Sequence, residues 1–300
     1  MKILVLLGGV SEEREVSIAS GVRVSGALRA RGHTVRDMRV DTLLPEEAVL
    51  RRAKEVDCVF LCLHGGAGED GRWQRALEDA GIRHYTGSDP VSSALAMDKP
   101  RAKTCVERYG VPLAKGCVWC AGMEMPELAF PFIVKPCNGG SSVGFEIVRS
   151  AEEWGKLTPS EDLLCEEYLP GREYSVAVWQ GRALPPIEIR PRGGVYDYAH
   201  KYEPGASEEL CPAPLSAPRL AFLQDLALLS FGALGLRDFA RVDFKEDARG
   251  IPCFLEANTL PGMTATSLFP LAARTARIDM ETLCESMAEI AAKRGSVRKT

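Results

Sequence analysis

Two sets of residues in this chain have types and spacings suited to phosphate chemistry. Phe132-Ile133-Val134-Lys135-Pro136 reads as a strand ending in a lysine, and it runs into Cys137-Asn138-Gly139-Gly140-Ser141-Ser142-Val143-Gly144. Glycines in such a loop let backbone N–H groups approach phosphate oxygens, serines add hydroxyl donors, and the lysine adds charge. Glycine–serine turns are common, so the loop alone fits an ordinary turn as well. The second set is acidic. Arg241-Val242-Asp243 ends one strand and Glu256-Ala257-Asn258 ends the next. Two carboxylates and an amide on adjacent strands suit a hard cation, which prefers oxygen ligands. Magnesium bridging ATP phosphates there would neutralise the charge that builds in phosphoryl transfer. The plainer reading pairs these acids with Arg241 at a strand end.

Other nucleotide signatures are missing. There is no Gly-x-x-x-x-Gly-Lys-Ser/Thr loop, no Gly-x-Gly-x-x-Gly after the first strand, and no Gly-x-Ser-x-Gly elbow of a hydrolase. A formal charge of -4 gives no electrostatic reason to expect a nucleic-acid partner. At 46% hydrophobic and 26% charged, the 300 residues read as a globular protein of two or three α/β units. The apolar start, Ile3 to Leu7, is too short for a signal-peptide core, and no run approaches the ~18 apolar residues of a membrane span. A cytoplasmic protein without a membrane partner is the expectation. The ten cysteines are scattered. Cys117-x-x-Cys120 has no second pair to complete a zinc site, so it reads as reduced thiols flanking a strand. Cys58 and Cys62 share one face of an apolar run and read as core.

The elements that must position these residues begin with a β-α-β rhythm. It comprises a buried strand at 2–7, a helix from Glu15 to Arg31 closed by Gly32, and strands near 34–40 and 57–62. That order implies a parallel sheet with helices on its faces. Ligands of such sheets bind at the carboxyl ends of the strands, where Gly8-Gly9 and His64-Gly65-Gly66 fall. From about residue 96 the texture changes. Asp98 before Lys99-Pro100 reads as the N-cap and first turn of a helix to about Tyr109. Strands follow at 131–135, 143–148, 162–167 and 173–179. A polar, aromatic loop over 193–211 precedes a helix near 218–234, strands at 237–245 and 252–257, and a closing helix from about Asp279. The basic tail from Lys293 to Thr300 reads as a frayed, solvated end.

Motifs in a fixed order carry a resemblance along nearly the whole chain. They are Gly8-Gly9-Val10-Ser11-Glu12-Glu13-Arg14-Glu15-Val16-Ser17, His64-Gly65-Gly66-Ala67-Gly68-Glu69-Asp70-Gly71, Tyr85-Thr86-Gly87-Ser88 and Met97-Asp98-Lys99. Then come Val134-Lys135-Pro136 with Gly140-Ser141-Ser142-Val143-Gly144, Glu166-Glu167-Tyr168-Leu169, and Tyr196-Asp197-Tyr198 through Lys201-Tyr202. Arg241-Val242-Asp243 and Glu256-Ala257-Asn258-Thr259-Leu260-Pro261-Gly262-Met263-Thr264 close the set. The chain thereby resembles the D-alanine–D-alanine ligases of the ATP-grasp superfamily.

The resemblance implies an α/β, three-domain ATP-grasp architecture. Its parts would be an N-terminal substrate domain (1–95), a central domain (96–170) and a C-terminal catalytic domain (171–300), with 193–211 as a lid that excludes water. It implies ATP as nucleotide, magnesium or manganese (two ions per site), two D-alanine molecules as substrates, and a homodimer. Lys99 and Lys135 would contact phosphates under the Ser141-Ser142 loop. Glu166, Glu167 and Leu169 would form the adenine hinge, Glu173 would accept the ribose hydroxyls, and Phe145 and Leu255 would sandwich the base. Asp243, Glu256 and Asn258 would hold the metal. Glu15 would pair with the ammonium of the first D-alanine, with His64 near its carboxylate. Lys201 would meet the transferred phosphate, Ser267 the second carboxylate, and Arg241 with the Gly262 N–H the oxyanion. Tyr202 would bond in a chain with Ser141 and Glu15, and it favours D-alanine over D-lactate as acceptor. Taken singly, His64 would be a structural histidine, Glu15 a first-turn helix acid and Tyr202 a packing aromatic. The chain departs from the family at Cys137, which predicts a thiol-sensitive nucleotide loop, and at Leu260 and Thr266.

Overall fold

The computed structural model describes residues 1–139, 144–157, 161–191 and 207–296. The first strand, β1 (Lys2–Gly8), is central to a parallel sheet ordered β2-β1-β3, with β2 at Thr34–Val40 and β3 at Cys58–Leu61. Its apolar run Ile3–Leu7 is buried on both faces, as a parallel strand between helical layers requires. Helix α1 (Arg14–Ala30) lies against it. Contact is close at Gly21, where a Cβ would stand 2.6 Å from that of Leu7. Gly32 ends the helix at φ +79, a backbone conformation that glycine adopts without strain. Truncating Leu4 or Phe60, each under 2% exposed, would cost about 2–5 kcal/mol. Cys58 and Cys62 are buried in this core, as their spacing predicts.

Three short helices follow that hydrophobic periodicity did not mark: α2 (Glu47–Ala53), α3 (Arg72–Asp79) and α4 (Pro90–Met97). Helix α5 (Lys99–Glu107) starts as its capping residues predict, with the Asp98 carboxylate accepting the Arg101 N–H at 3.1 Å. An antiparallel sheet comes next, ordered β4-β7-β5-β6: β4 is Gly116–Trp119, β5 Phe132–Pro136, β6 Glu146–Val148 and β7 Leu163–Glu167. Helix α6 (Ala151–Trp154) lies between β6 and β7 in the chain. Cys117 and Cys120 are free thiols in β4 and just after it.

The second antiparallel sheet is ordered β11-β10-β8-β12-β13, with the short β9 (Arg182–Ala183) beside β8. Its strands are β8 (Glu173–Trp179), β10 (Ile187–Pro191), β11 (Ser207–Leu210), β12 (Phe239–Glu246) and β13 (Pro252–Asn258). Helices α5 and α7 (Ala217–Ala233) cover one face through Leu223, Leu226, Val106, Val242 and Phe244. Alternation then turns Arg241, Asp243 and Lys245 to the other face, which lines a cleft.

Two sequence expectations need correction. The stretch 193–211 is not loop throughout, because Ser207–Leu210 is a strand paired with β10, Glu188 opposite Leu210. Its remaining part, up to residue 206, lies outside the described residues. The tail from Lys293 is not frayed at its start either, since α9 (Met280–Ser296) continues through it. Arg294 is held by Asp238 at 2.6 Å and by the Tyr85 carbonyl. By packing, α9 and α8 (Leu268–Thr275) share the core of the parallel sheet, through Phe269, Leu283, Met287 and Ala291. No helix among the described residues is long and apolar enough to cross a membrane.

Candidate active site

A cleft of about 680 Å³ opens where the two antiparallel sheets meet the loops of the parallel-sheet unit. That volume is within the range of small-ligand sites. Every described residue of the expected site set lines it. Glu15 and His64 come from the parallel-sheet unit, and Lys99, Lys135, Phe145, Glu166, Glu167 and Leu169 from the middle. Glu173, Arg241, Asp243, Leu255, Glu256, Asn258, Gly262 and Ser267 come from the last sheet and the loop after it. Ser141, Ser142, Lys201 and Tyr202 lie outside the described residues.

One wall is charged and internally paired. Glu166 is 3% exposed, and its two oxygens face Lys103 and Lys135, each at 2.7 Å. Burial opposes its charge, yet the two lysines outweigh it and hold the carboxyl below its ordinary value. Lys103, buried as well, donates to the Phe254 carbonyl at 2.8 Å, and burial lowers its pKa. Lys99 donates to the carbonyl of Gly139 at the entry to the glycine–serine loop. Lys245 pairs with Glu173 at 3.0 Å. Lys103 and Lys245 escaped sequence reading, although Lys103 stands one helical turn after Lys99 and Lys245 one strand period after Asp243.

The carboxylate floor forms where β12 pairs with β13. Asp243 stands opposite Glu256, and Arg241 opposite Asn258. A bulge places Leu255 as an extra residue, so Leu255 and Glu256 both line the cleft. The Arg241 guanidinium donates to Asp243 at 2.8 and 3.0 Å, and Ser175 Oγ adds a bond at 2.7 Å. The plain pairing of Asp243 with Arg241 is therefore present. Asn258 Oδ1, however, is buried with no partner among the described residues. Such an orphaned oxygen normally has a ligand or water. Two carboxylates and an amide oxygen on paired strands fit a hard cation.

The opposite wall is built on neutral bonds. His64, 5% exposed, has Nδ1 at 2.8 Å from the Leu260 carbonyl and Nε2 at 2.9 Å from Ser20 Oγ. Burial lowers its pKa, so the ring is neutral. Glu69 escaped notice as a site residue, yet it lines the cleft and accepts N–H bonds from Gly65 (3.3 Å) and Leu260 (3.2 Å). Burial and then the nearby Glu13 push its carboxyl well above the ordinary range. A side chain at Gly262 would displace the Ser267 hydroxyl, for a Cβ would stand 2.7 Å from Ser267 Oγ. Glu15 is 83% exposed in its side chain and touches Arg14 at 3.4 Å. Cys137 is not the reactive thiol its neighbourhood predicted, because it is buried and its pKa is pushed up to about 11.

Known proteins share both the sequence and this architecture. Residues 115–289 match the family described as D-ala D-ala ligase C-terminus. A D-alanine–D-alanine ligase of Methylacidiphilum infernorum is 41% identical over 96% of this chain and 94% of its own. The crystal structure of a D-alanine–D-alanine ligase from Bacillus anthracis superposes with a TM-score of 0.85 at 32% identity, covering 98% of both chains. The structure of that ligase complexed with ATP gives 0.84 at 30% identity, with the same coverage. The fold is thus that of the ATP-grasp ligases, a parallel-sheet unit followed by two antiparallel sheets around a nucleotide-sized cleft. The chain belongs to the D-alanine–D-alanine ligase family.

Proposed function

We propose that the protein joins two D-alanine molecules into D-alanyl-D-alanine at the expense of ATP, by way of a D-alanyl phosphate, for peptidoglycan synthesis. The observation that carries this reading is the single cleft that holds Lys99 and Lys135, the Asp243–Glu256–Asn258 floor and the Gly262–Ser267 loop together. A carboxylate is a poor electrophile, so ATP must first convert it to an acyl phosphate. The amine of the second D-alanine then attacks, and phosphate leaves from a tetrahedral intermediate. Lys99 and Lys135 meet the phosphates, and Arg241 and the Gly262 N–H meet the oxyanion; one such donor is typically worth ~10²–10³ in rate. Glu15 takes the first ammonium, Ser267 the second carboxylate, and Lys201 the transferred phosphate. Phe145, Leu255, Glu166, Glu167 and Leu169 hold adenine, with Glu173 on the ribose.

Magnesium or manganese, two ions per site, would be held by Asp243, Glu256 and Asn258 and would neutralise phosphate charge. Arg241 holds Asp243 at 2.8 Å, a pairing that a bound cation would compete for. By the family resemblance, Tyr202, Ser141 and Ser142 would help exclude water from the acyl phosphate. The division into units 1–95, 96–170 and 171–300, the homodimer and the cytoplasmic location follow the family resemblance.

ADP release with ATP, magnesium and each candidate amino or hydroxy acid, with the product mass recorded, tests the reading. D-alanine alone should give ADP and the dipeptide, with no turnover on L-alanine. Turnover only with another acceptor would keep the class and overturn the substrate, and folded protein that turns over nothing would overturn the enzyme itself.

A further inference from the structure

The segment from Leu260 to Thr264 is shaped largely by side chains of the parallel-sheet unit. The Leu260 N–H donates to Glu69 at 3.2 Å, and its carbonyl accepts from His64 at 2.8 Å. The Met263 N–H donates to Ser20 Oγ at 3.0 Å, and its carbonyl accepts from Arg23 at 3.2 Å. Arg23 also reaches the Thr264 carbonyl, and the Thr264 N–H donates to Ser267 Oγ at 3.0 Å. Between these fastened groups the Gly262 N–H has no partner among the described residues, and Gly262 lines the cleft.

The bonding pattern fixes where the protons sit. A carbonyl only accepts, so the proton shared by His64 and Leu260 is on Nδ1. A backbone N–H only donates, so Ser20 Oγ accepts from Met263. The Ser20 hydroxyl proton is then directed to His64 Nε2, which in a neutral ring protonated on Nδ1 is an acceptor. Met263, Ser20, His64 and Leu260 thus form one directional chain. Ser20 is fully buried, so each of its bonds is costly to lose.

We infer that Ser20 and His64 are positioning residues, a neutral clasp that holds the 260–263 backbone so that the Gly262 N–H alone faces the reacting centre. Both ring nitrogens of His64 are engaged by the protein, so the histidine acts through the loop and not on the substrate carboxylate. Arg23 and Glu69 fasten the loop at either side of the clasp. The role of Gly262 in this inference rests on the ligase reading, whereas the proton arrangement does not.

The protein has only four histidines, which makes the arrangement directly readable. Nitrogen-15 spectra of the histidine-labelled full chain, with His64 assigned by its loss in His64→Gln, report the tautomer without any turnover. The clasp predicts a neutral ring protonated on Nδ1, and a shift of population toward Nε2–H in Ser20→Ala. A ring protonated on Nε2, or on both nitrogens, at neutral pH would overturn it. This parent spectrum decides the matter even if Ser20→Ala does not fold. In folded Ser20→Ala, kcat should fall on the order of tenfold to a hundredfold through misplacement of the loop, with KM for ATP unchanged within about twofold. An unchanged kcat, or equal losses in kcat and ATP affinity, would reduce Ser20 to a packing residue. If the parent protein makes no dipeptide, the ligase reading fails while the tautomer still answers for the clasp.

Discussion

The two walls of the cleft solve the same problem in opposite ways. On the charged wall, ionic groups hold one another: Glu166 with Lys103 and Lys135, Asp243 with Arg241, Glu173 with Lys245. Each acid is satisfied by a neighbour that a bound nucleotide or cation would compete for. On the opposite wall the bonds are neutral or backbone-directed, and they leave the Gly262 N–H without a partner among the described residues. On the proposed function, the first wall would exchange partners on ligand binding and the second would keep them. A preorganised donor costs no reorganisation when charge develops beside it, whereas a lysine released from a carboxylate can follow a phosphate.

Breaking the charged wall at the carboxylates proposed to hold metal should have the largest effect. Glu256→Gln removes one of two carboxylates, and magnesium-dependent ADP release should fall on the order of a hundredfold or more. A near-normal rate would take Glu256 out of the metal site.

Next comes the buried pair. Glu166→Gln leaves Lys103 and Lys135 without their shared counter-charge, and it should destabilise the fold by about 3–5 kcal/mol, read from thermal or denaturant unfolding. The same residue gives a pH signature. Its carboxyl is held below the ordinary value, so the stability it contributes is present above the unfolded pKa of 4.5. That stability is lost as pH falls through the lower folded value. Acidification from neutral to below pH 4.5 should therefore cost the parent protein more melting temperature than Glu166→Gln, and equal losses would mean that the lysines do not hold the carboxylate.

The smallest effect is expected at Tyr202, which lies outside the described residues and which the family resemblance assigns to acceptor choice. Tyr202→Phe should raise use of D-lactate relative to D-alanine by a few-fold, about 1 kcal/mol for one hydroxyl bond. An unchanged acceptor ratio would place discrimination on the walls themselves.

The charged wall was the more legible in sequence, for physical reasons. Lys135, Asp243 and Glu256 announce themselves as charges at the ends of apolar strands, and β5, β12 and β13 form close to where their apolar runs lie. The opposite wall depends on Ser20, Arg23 and Glu69, which reach across more than 190 residues of chain to Leu260, Met263 and Thr264. No local pattern marks such contacts, although buried serines at Ser17 and Ser20 on one face of α1 are a hint, since a buried hydroxyl needs a partner. The β10 strand was hidden by Pro185 and Pro186 before it and Pro191 at its end, and β11 by its polar sequence Ser207-Glu208-Glu209-Leu210. Helix α3 is short and mostly charged on its exposed side, so its buried Trp73 and Leu77 were too few to show a period.

The most direct test of the account follows oxygen. D-Alanine labelled with oxygen-18 in both carboxyl positions, incubated with the protein, ATP and magnesium, should pass one labelled oxygen into inorganic phosphate for each dipeptide formed, because the activated carboxylate leaves one oxygen on phosphorus. Dipeptide accompanied by unlabelled phosphate would contradict activation of the first D-alanine as an acyl phosphate in this cleft.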